Sequence, residues 1–98
     1  MTDRRVVVAV QTWELQLPGC QSLKEKRSLL QPLKITLRRS LNISVSETGA
    51  QDAWQAARLA CAAVGTERTV VQETLRSADR LIEEADGVRI TNTDVAFL

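Results

Sequence analysis

The stretch Ser22–Ser40, SLKEKRSLLQPLKITLRRS, constrains the fold more than any other part of this chain. It opens on Ser22-Leu23-Lys24-Glu25, the spacing of a capping box. The Ser22 hydroxyl is placed to accept from the N–H of Glu25, and the Glu25 carboxylate to accept from the N–H of Ser22. A periodic apolar run follows. At 100° per residue, Leu23, Leu30, Leu33, Leu37 and Leu41 fall on one face, which predicts a helix buried along that stripe. Pro32 lies inside it and cannot donate to the carbonyl of Ser28, so a kink is expected there.

The same stretch carries the dense positive charge. Between Ser22 and Ser40 stand six Lys or Arg and one acid. Lys24, Arg27, Gln31, Lys34 and Arg38 form a second stripe beside the leucines, with Lys26 and Arg39 close by. Two readings of this stripe follow from the residues. One is a solvated helix face. The other is an anion-binding surface. Cations in the first turns oppose the helix dipole. Placing Lys24, Lys26 and Arg27 there makes sense if a phosphate docks at that end. The candidate nucleic-acid or anion contacts are therefore Lys24, Lys26, Arg27, Lys34, Arg38 and Arg39.

The remaining segments fit around this helix. Arg5–Leu17 reads as a long strand, with Val7, Ala9, Trp13, Leu15 and Leu17 on the core parity. Gln11 shares that parity and counts against the assignment. Pro18-Gly19 ends the strand. Asn42–Thr48 alternates again, with Ile43 and Val45 inward and Ser44 and Ser46 outward. Gly49-Ala50-Gln51-Asp52 makes a turn. Ala53–Val64 reads as the hairpin partner strand, with Trp54 near its start. A second helix is expected from about Glu67 to Ala85, capped by Thr66 and stopped by Gly87, its apolar face being Val71, Leu75, Ala78, Ile82 and Ala85. Val88–Phe97 is the last strand, and a parity slip predicts a bulge near Thr93.

The order β-α-β-β-α-β, with short connections, gives an α+β ferredoxin-like split βαβ fold: four antiparallel strands and two helices on one face. Residues 1–98 are read as one domain. Apolar content of 44% and charged content of 26% suit a globular chain. The net charge of +1 conceals an asymmetry, since Thr66–Asp86 holds six acids against three Arg. No stretch approaches the roughly 18–20 apolar residues of a membrane span. Cys20 and Cys61 stand in no metal or redox spacing and suit a reducing compartment. The chain has no histidine, which removes the commonest general base and metal ligand. No metal, cofactor or catalytic residue is expected, and a cytoplasmic location is.

LxLPG at Leu15–Gly19, SLKEKRSLL at Ser22–Leu30, NxSVSE at Asn42–Glu47 and QDAWQ at Gln51–Gln55 resemble, in order and spacing, the YlxP-like family of small bacterial proteins of unknown function. The resemblance covers nearly the whole chain, and SLKEKR is its most specific part. It implies a ferredoxin-like fold and a bacterial cytosolic protein. Family members are often encoded beside ribosome-maturation and translation-initiation factors, which implies an RNA or ribosome connection. Members commonly carry His in the loop before QD, where this chain has Ala50.

Three functions compete on these residues. The favoured one is a non-enzymatic RNA- or ribosome-associated accessory module using the basic helix, with rRNA or a ribosomal subunit as partner. Such a module would not work as an RRM, because the outward positions of the central strands hold no aromatic to stack a base. The second is a small-anion binder or enzyme around Glu47, Gln51, Asp52 and Trp54, where a carboxylate beside a tryptophan serves as a base. Against it, Asp52 is a turn residue, Gln51 a partner for loop backbone and Trp54 a core side chain. The third is a structural or regulatory homodimer. Val6, Val8 and Val10 on the first strand, and Ala60, Ala62 and Val64 on the third, form an apolar patch on the face opposite the helices.

Overall fold

A computed structural model describes residues 5–98. Six elements follow in order: β1 (Val7–Gln16), α1 (Leu23–Ser40), β2 (Ile43–Gly49), β3 (Ala56–Gly65), α2 (Arg68–Glu83) and β4 (Arg89–Phe97). The strands pair in the order β2-β3-β1-β4, and every neighbouring pair is antiparallel. This is the expected ferredoxin-like sheet with two helices.

The core parity of β1 is the one read from the sequence. Ala9, Trp13, Leu15 and Leu17 are buried, and they meet Leu30, Leu33 and Leu37 of α1 and Val71, Leu75, Ala78 and Ile82 of α2. Both helices therefore cover one face of the sheet. Gln11 is only 1% exposed, so it belongs to the core and does not overturn the parity. Its amide nitrogen donates to Asp79 Oδ1 at 2.9 Å and Thr93 Oγ1 at 2.8 Å, while Trp13 Nε1 donates to the same Asp79 oxygen at 2.7 Å. A buried amide and indole are admissible where such partners exist. Among the described residues, Gln11 Oε1 is buried with no hydrogen-bond partner. Opposite it in register stands Cys61, whose thiol is pushed up to about 11 by burial. At that value it is protonated and a poor nucleophile at neutral pH.

Several boundaries differ from expectation. The Ser22 hydroxyl accepts from the Glu25 N–H at 3.1 Å as read, but the Glu25 carboxylate accepts from Gln21 N–H at 3.3 Å instead of from Ser22. α1 continues through Pro32 as one element, with Pro32 on its exposed side. There the unbonded Ser28 carbonyl has access to water, which lowers the cost of the missing donor. α2 starts one residue late, because Glu67 takes the N-cap position with extended backbone and no side-chain cap. Gly87 adopts φ +79 beyond Glu84, so it closes a turn after the helix and is not the residue next to its cap. β3 starts at Ala56, and Ala53–Gln55 belong to the preceding loop.

The β4 bulge sits at Thr91. Leu15 pairs with Ile90 and Glu14 with Asn92, leaving Thr91 unopposed two positions before the expected Thr93. The extra residue flips the later parity. Phe97 comes opposite Ala9 on the helix side, and Thr93 comes opposite Trp13, where it reaches Gln11.

Candidate functional site

The site grows from a second bulge, in β2. Glu47 pairs with Leu59 and Gly49 with Arg58, leaving Thr48 unopposed. Leu59 is a core residue, so Glu47 faces the helices. A carboxylate on that face needs a partner, and α1 supplies one. Lys26 Nζ lies 3.1 Å from Glu47 Oε2, and it donates to the carbonyls of Ala50 at 2.7 Å and Ala53 at 2.8 Å. The two carbonyls take hydrogen bonds from the ammonium, and Glu47 Oε2, a buried atom with no hydrogen-bond partner among the described residues, meets it as an ion pair.

Lys26 is 3% exposed. It was expected among the phosphate contacts; instead it is a buried staple between α1 and the β2–β3 turn, its charge already paired inside the chain. The signal was present in the sequence. On the wheel Lys26 lies within the arc of Leu23, Leu30, Leu33 and Leu37, not on the basic stripe. A charge centred on a leucine face is buried only if it is paired.

The turn it holds is strained. Ala50 has φ +58, in the left-handed region that costs a non-glycine residue about 1 kcal/mol. Its carbonyl is the one Lys26 holds at the shorter distance, and Ala53 N–H donates to the same oxygen at 3.1 Å. The ammonium and the turn bond together offset the strain.

Between α1 and β2 opens a groove of about 160 Å³, lined by Leu23, Lys26, Arg27, Leu30, Gln31, Lys34, Glu47 and Gln51. Arg27 is exposed and Lys34 half-buried at its edge. Neither has an ion-pair or hydrogen-bond partner among the described residues, and the same holds for Lys24 and Arg39. Arg38 differs, since its Nη2 donates to the Val45 carbonyl of β2 at 2.9 Å. Of the six expected cationic contacts, Lys26 is therefore withdrawn and Arg38 partly engaged, while Lys24, Arg27, Lys34 and Arg39 present free charge. Lys34 is half-buried because it stands beside the leucine arc.

The residues expected to form a second pocket do not all gather. Glu47 and Gln51 line the groove, whereas Asp52 and Trp54 do not. Gln51 Nε2 reaches the Glu47 carbonyl only at 3.5 Å. Asp52 is exposed in the turn, and Trp54 is 53% exposed, so it is not the core side chain that the sequence also allowed.

The patch residues lie where the parity put them. Val8 pairs with Val64, Val10 with Ala62 and Thr12 with Ala60, all pointing away from the helices. Val6 and Val64 are exposed, while Val8, Val10 and Ala60 are half-buried by their neighbours. Ala96 extends the patch on β4, opposite Val10.

With this geometry in place, the chain can be set beside known proteins. The family model described as "Protein of unknown function (DUF503)" matches residues 8–95. The chain belongs to this family. A relative, the uncharacterized protein YlxP of Bacillus subtilis, is 33% identical over 72 residues, covering 74% of this chain and 78% of the relative. That bears out the YlxP-like resemblance of the LxLPG, SLKEKRSLL, NxSVSE and QDAWQ segments. Among solved structures, the cofactor-independent oxygenase SnoaB from Streptomyces nogalater superposes with a TM-score of 0.51 at 10% identity, over 96% of this chain and 91% of that one. The de novo designed protein Foldit4 gives a TM-score of 0.51 at 13% identity, over 94% and 93%. At such identities the likeness is one of fold. Among the described residues of this DUF503 protein, no helix is long and apolar enough to cross a membrane.

Proposed function

We propose that this DUF503 protein is a non-enzymatic RNA- or ribosome-associated accessory module that lays the edge of α1 along a phosphate backbone. One observation carries the reading. Arg27 and Lys34 flank the α1–β2 groove without acid partners, because the groove's carboxylate, Glu47, is already neutralised by buried Lys26. A cationic edge whose nearby acid is cancelled internally attracts polyanions. Lys24 and Arg39 extend it toward the two ends of the helix. Binding of this kind releases counterions, so it is salt-sensitive and largely indifferent to sequence. A cytoplasmic setting and an rRNA or ribosomal-subunit partner belong to the same proposal.

The test is retention on immobilised rRNA across a salt series, comparing the parent with Lys24→Gln, Arg27→Gln and Lys34→Gln combined. Arg38 is left in place because it holds the Val45 carbonyl. The combined variant is expected to fold normally and to lose roughly 0.7 of salt slope for each phosphate contact removed. An unchanged slope would reduce the stripe to a solvated helix face.

The open face of the sheet suits a second copy of the same chain. Its charged residues are Glu14 and Asp94 against Arg58 and Arg89, so the face is neutral and does not repel itself. Four strands about 4.8 Å apart and about ten residues long present on the order of 600 Å². That is near the ~800 Å² per partner of a stable interface. A two-fold dimer formed this way would leave both α1 edges free for RNA.

A further inference from the structure

We propose that Trp54 is a base-stacking platform, so that the ligand of this surface is single-stranded RNA and not a duplex. The inference rests on the RNA reading above and names the form of RNA it takes.

Four observations lead to it. Trp54 is 53% exposed, and its indole N–H has no hydrogen-bond partner among the described residues. An exposed aromatic ring offers a flat face on which a base can stack. Next, the turn carrying it is held rigidly: the carbonyl of neighbouring Ala53 lies 2.8 Å from Lys26 Nζ, and Ala50 is kept at φ +58 by the same ammonium. An aromatic ring on a fixed turn loses little entropy when a ligand stacks on it.

Third, the turn adjoins the cationic edge. Lys26 is followed in α1 by Arg27, and Gln51, three residues before Trp54, shares the groove wall with Arg27 and Lys34. Trp54 itself lies outside the groove lining, on the turn whose Gln51 forms part of that wall, so a stacking surface and phosphate contacts are carried by adjoining elements, the two parts used by proteins that bind single strands. Fourth, Asp52 is exposed in the same turn. Its charge disfavours a phosphate directly over the turn, which leaves the backbone on the Arg27–Lys34 side and turns a base toward Trp54. Bases inside an A-form duplex are already stacked and cannot be offered this way.

The protein carries its own reporter. Its two tryptophans are Trp13, which is fully buried, and Trp54. Emission is followed while a short single-stranded ribo-oligonucleotide, or the same strand annealed to its complement, is titrated in at low salt. The single strand is expected to quench the exposed indole, and the duplex is not. Trp54→Ala is expected to weaken single-strand binding on the order of tenfold while leaving the salt slope unchanged. Trp54→Phe should restore most of the affinity without the quenching. Trp13 emission verifies that both variants are folded.

Equal quenching by duplex and single strand, or an unaltered affinity in Trp54→Ala, overturns the platform. If those outcomes come with a salt slope that still falls in the Arg27→Gln, Lys34→Gln variant, the RNA reading stands without it. If no oligonucleotide binds at any salt concentration, both fall, and the exposed indole is left to a protein partner.

Discussion

Lys26 Nζ and Glu47 Oε2, 3.1 Å apart, join the first turn of the basic helix to the bulged end of β2 beneath the surface. The pair does two things at once. It removes one positive and one negative charge from the groove, and it fixes the turn that carries Trp54. Lys26→Met would leave Glu47 uncompensated, the Ala53 carbonyl without a donor and the Ala50 carbonyl with the Ala53 N–H alone. Breaking one side of a buried pair typically costs about 3 kcal/mol or more. Urea unfolding should show that loss, and Glu47→Gln added to Lys26→Met should recover part of it. The double variant leaves no net charge where the pair stood and keeps Arg27 and Lys34, so its salt slope on RNA should match the parent's. A loss below about 1 kcal/mol would mean that water reaches the pair and replaces the lysine.

The polar cluster under α2 makes a parallel claim. Asp79 Oδ1 accepts from both Gln11 Nε2 and Trp13 Nε1. Asp79→Ala leaves the buried indole N–H of Trp13 without an acceptor and Gln11 Nε2 with Thr93 Oγ1 alone, and should cost about 1–3 kcal/mol. Asp79→Asn retains an acceptor oxygen and should cost less. Urea midpoints compare the two, and Trp13 emission should shift in the alanine variant alone. Equal stability of both variants would show that the donors find other partners.

These two clusters also mark the limit of the sequence reading. Element order, sheet parity and both apolar helix faces followed from alternation and from the 3.6-residue period, because burial of apolar side chains dictates them. The settings that periodicity leaves unexplained belong mostly to polar residues with a distant partner. Lys26 sits within the leucine arc, Gln11 on the core parity of β1, and Glu47 under α1. Each is admissible there only through a contact made far along the chain, and periodicity carries no information about such contacts. Trp54 and the two bulges are the same case. Whether a ring is covered, or which residue of a strand is unopposed, depends on the neighbouring element.

Glu14 gives a prediction in pH. On the open face Arg58 Nη2 donates to its carboxylate at 2.7 Å and, with Asn92, holds its pKa below the usual 4.5. Arg58's hydrogen bond is the largest cause and its charge the next. A carboxyl whose pKa is lower in the folded chain adds stability that is present above its unfolded value. That stability is lost as the pH falls through the folded value, so the window opens below about 4.5. Arg58→Gln should return the Glu14 titration toward 4.5 in an NMR pH series and flatten the acid limb of the stability curve. An unmoved titration would assign the shift to Asn92.

The self-association surface is tested at Val8. It pairs with Val64 on one side, and its carbonyl accepts the Leu98 N–H at 2.9 Å on the other, so its backbone is tied into the sheet. Its side chain points away from both helices and touches no part of the core. A carboxylate there costs the monomer little, since water reaches the open face. In a two-fold dimer it would be buried against apolar side chains of the second copy, with no cation supplied to pair it. Sedimentation should therefore find the parent dimeric and Val8→Glu monomeric, with the variant's urea midpoint independent of protein concentration and the parent's rising with it. A parent that sediments as a monomer at every concentration, or a Val8→Glu dimer, removes the open face as the interface, while the α1 edge and its RNA test are unaffected.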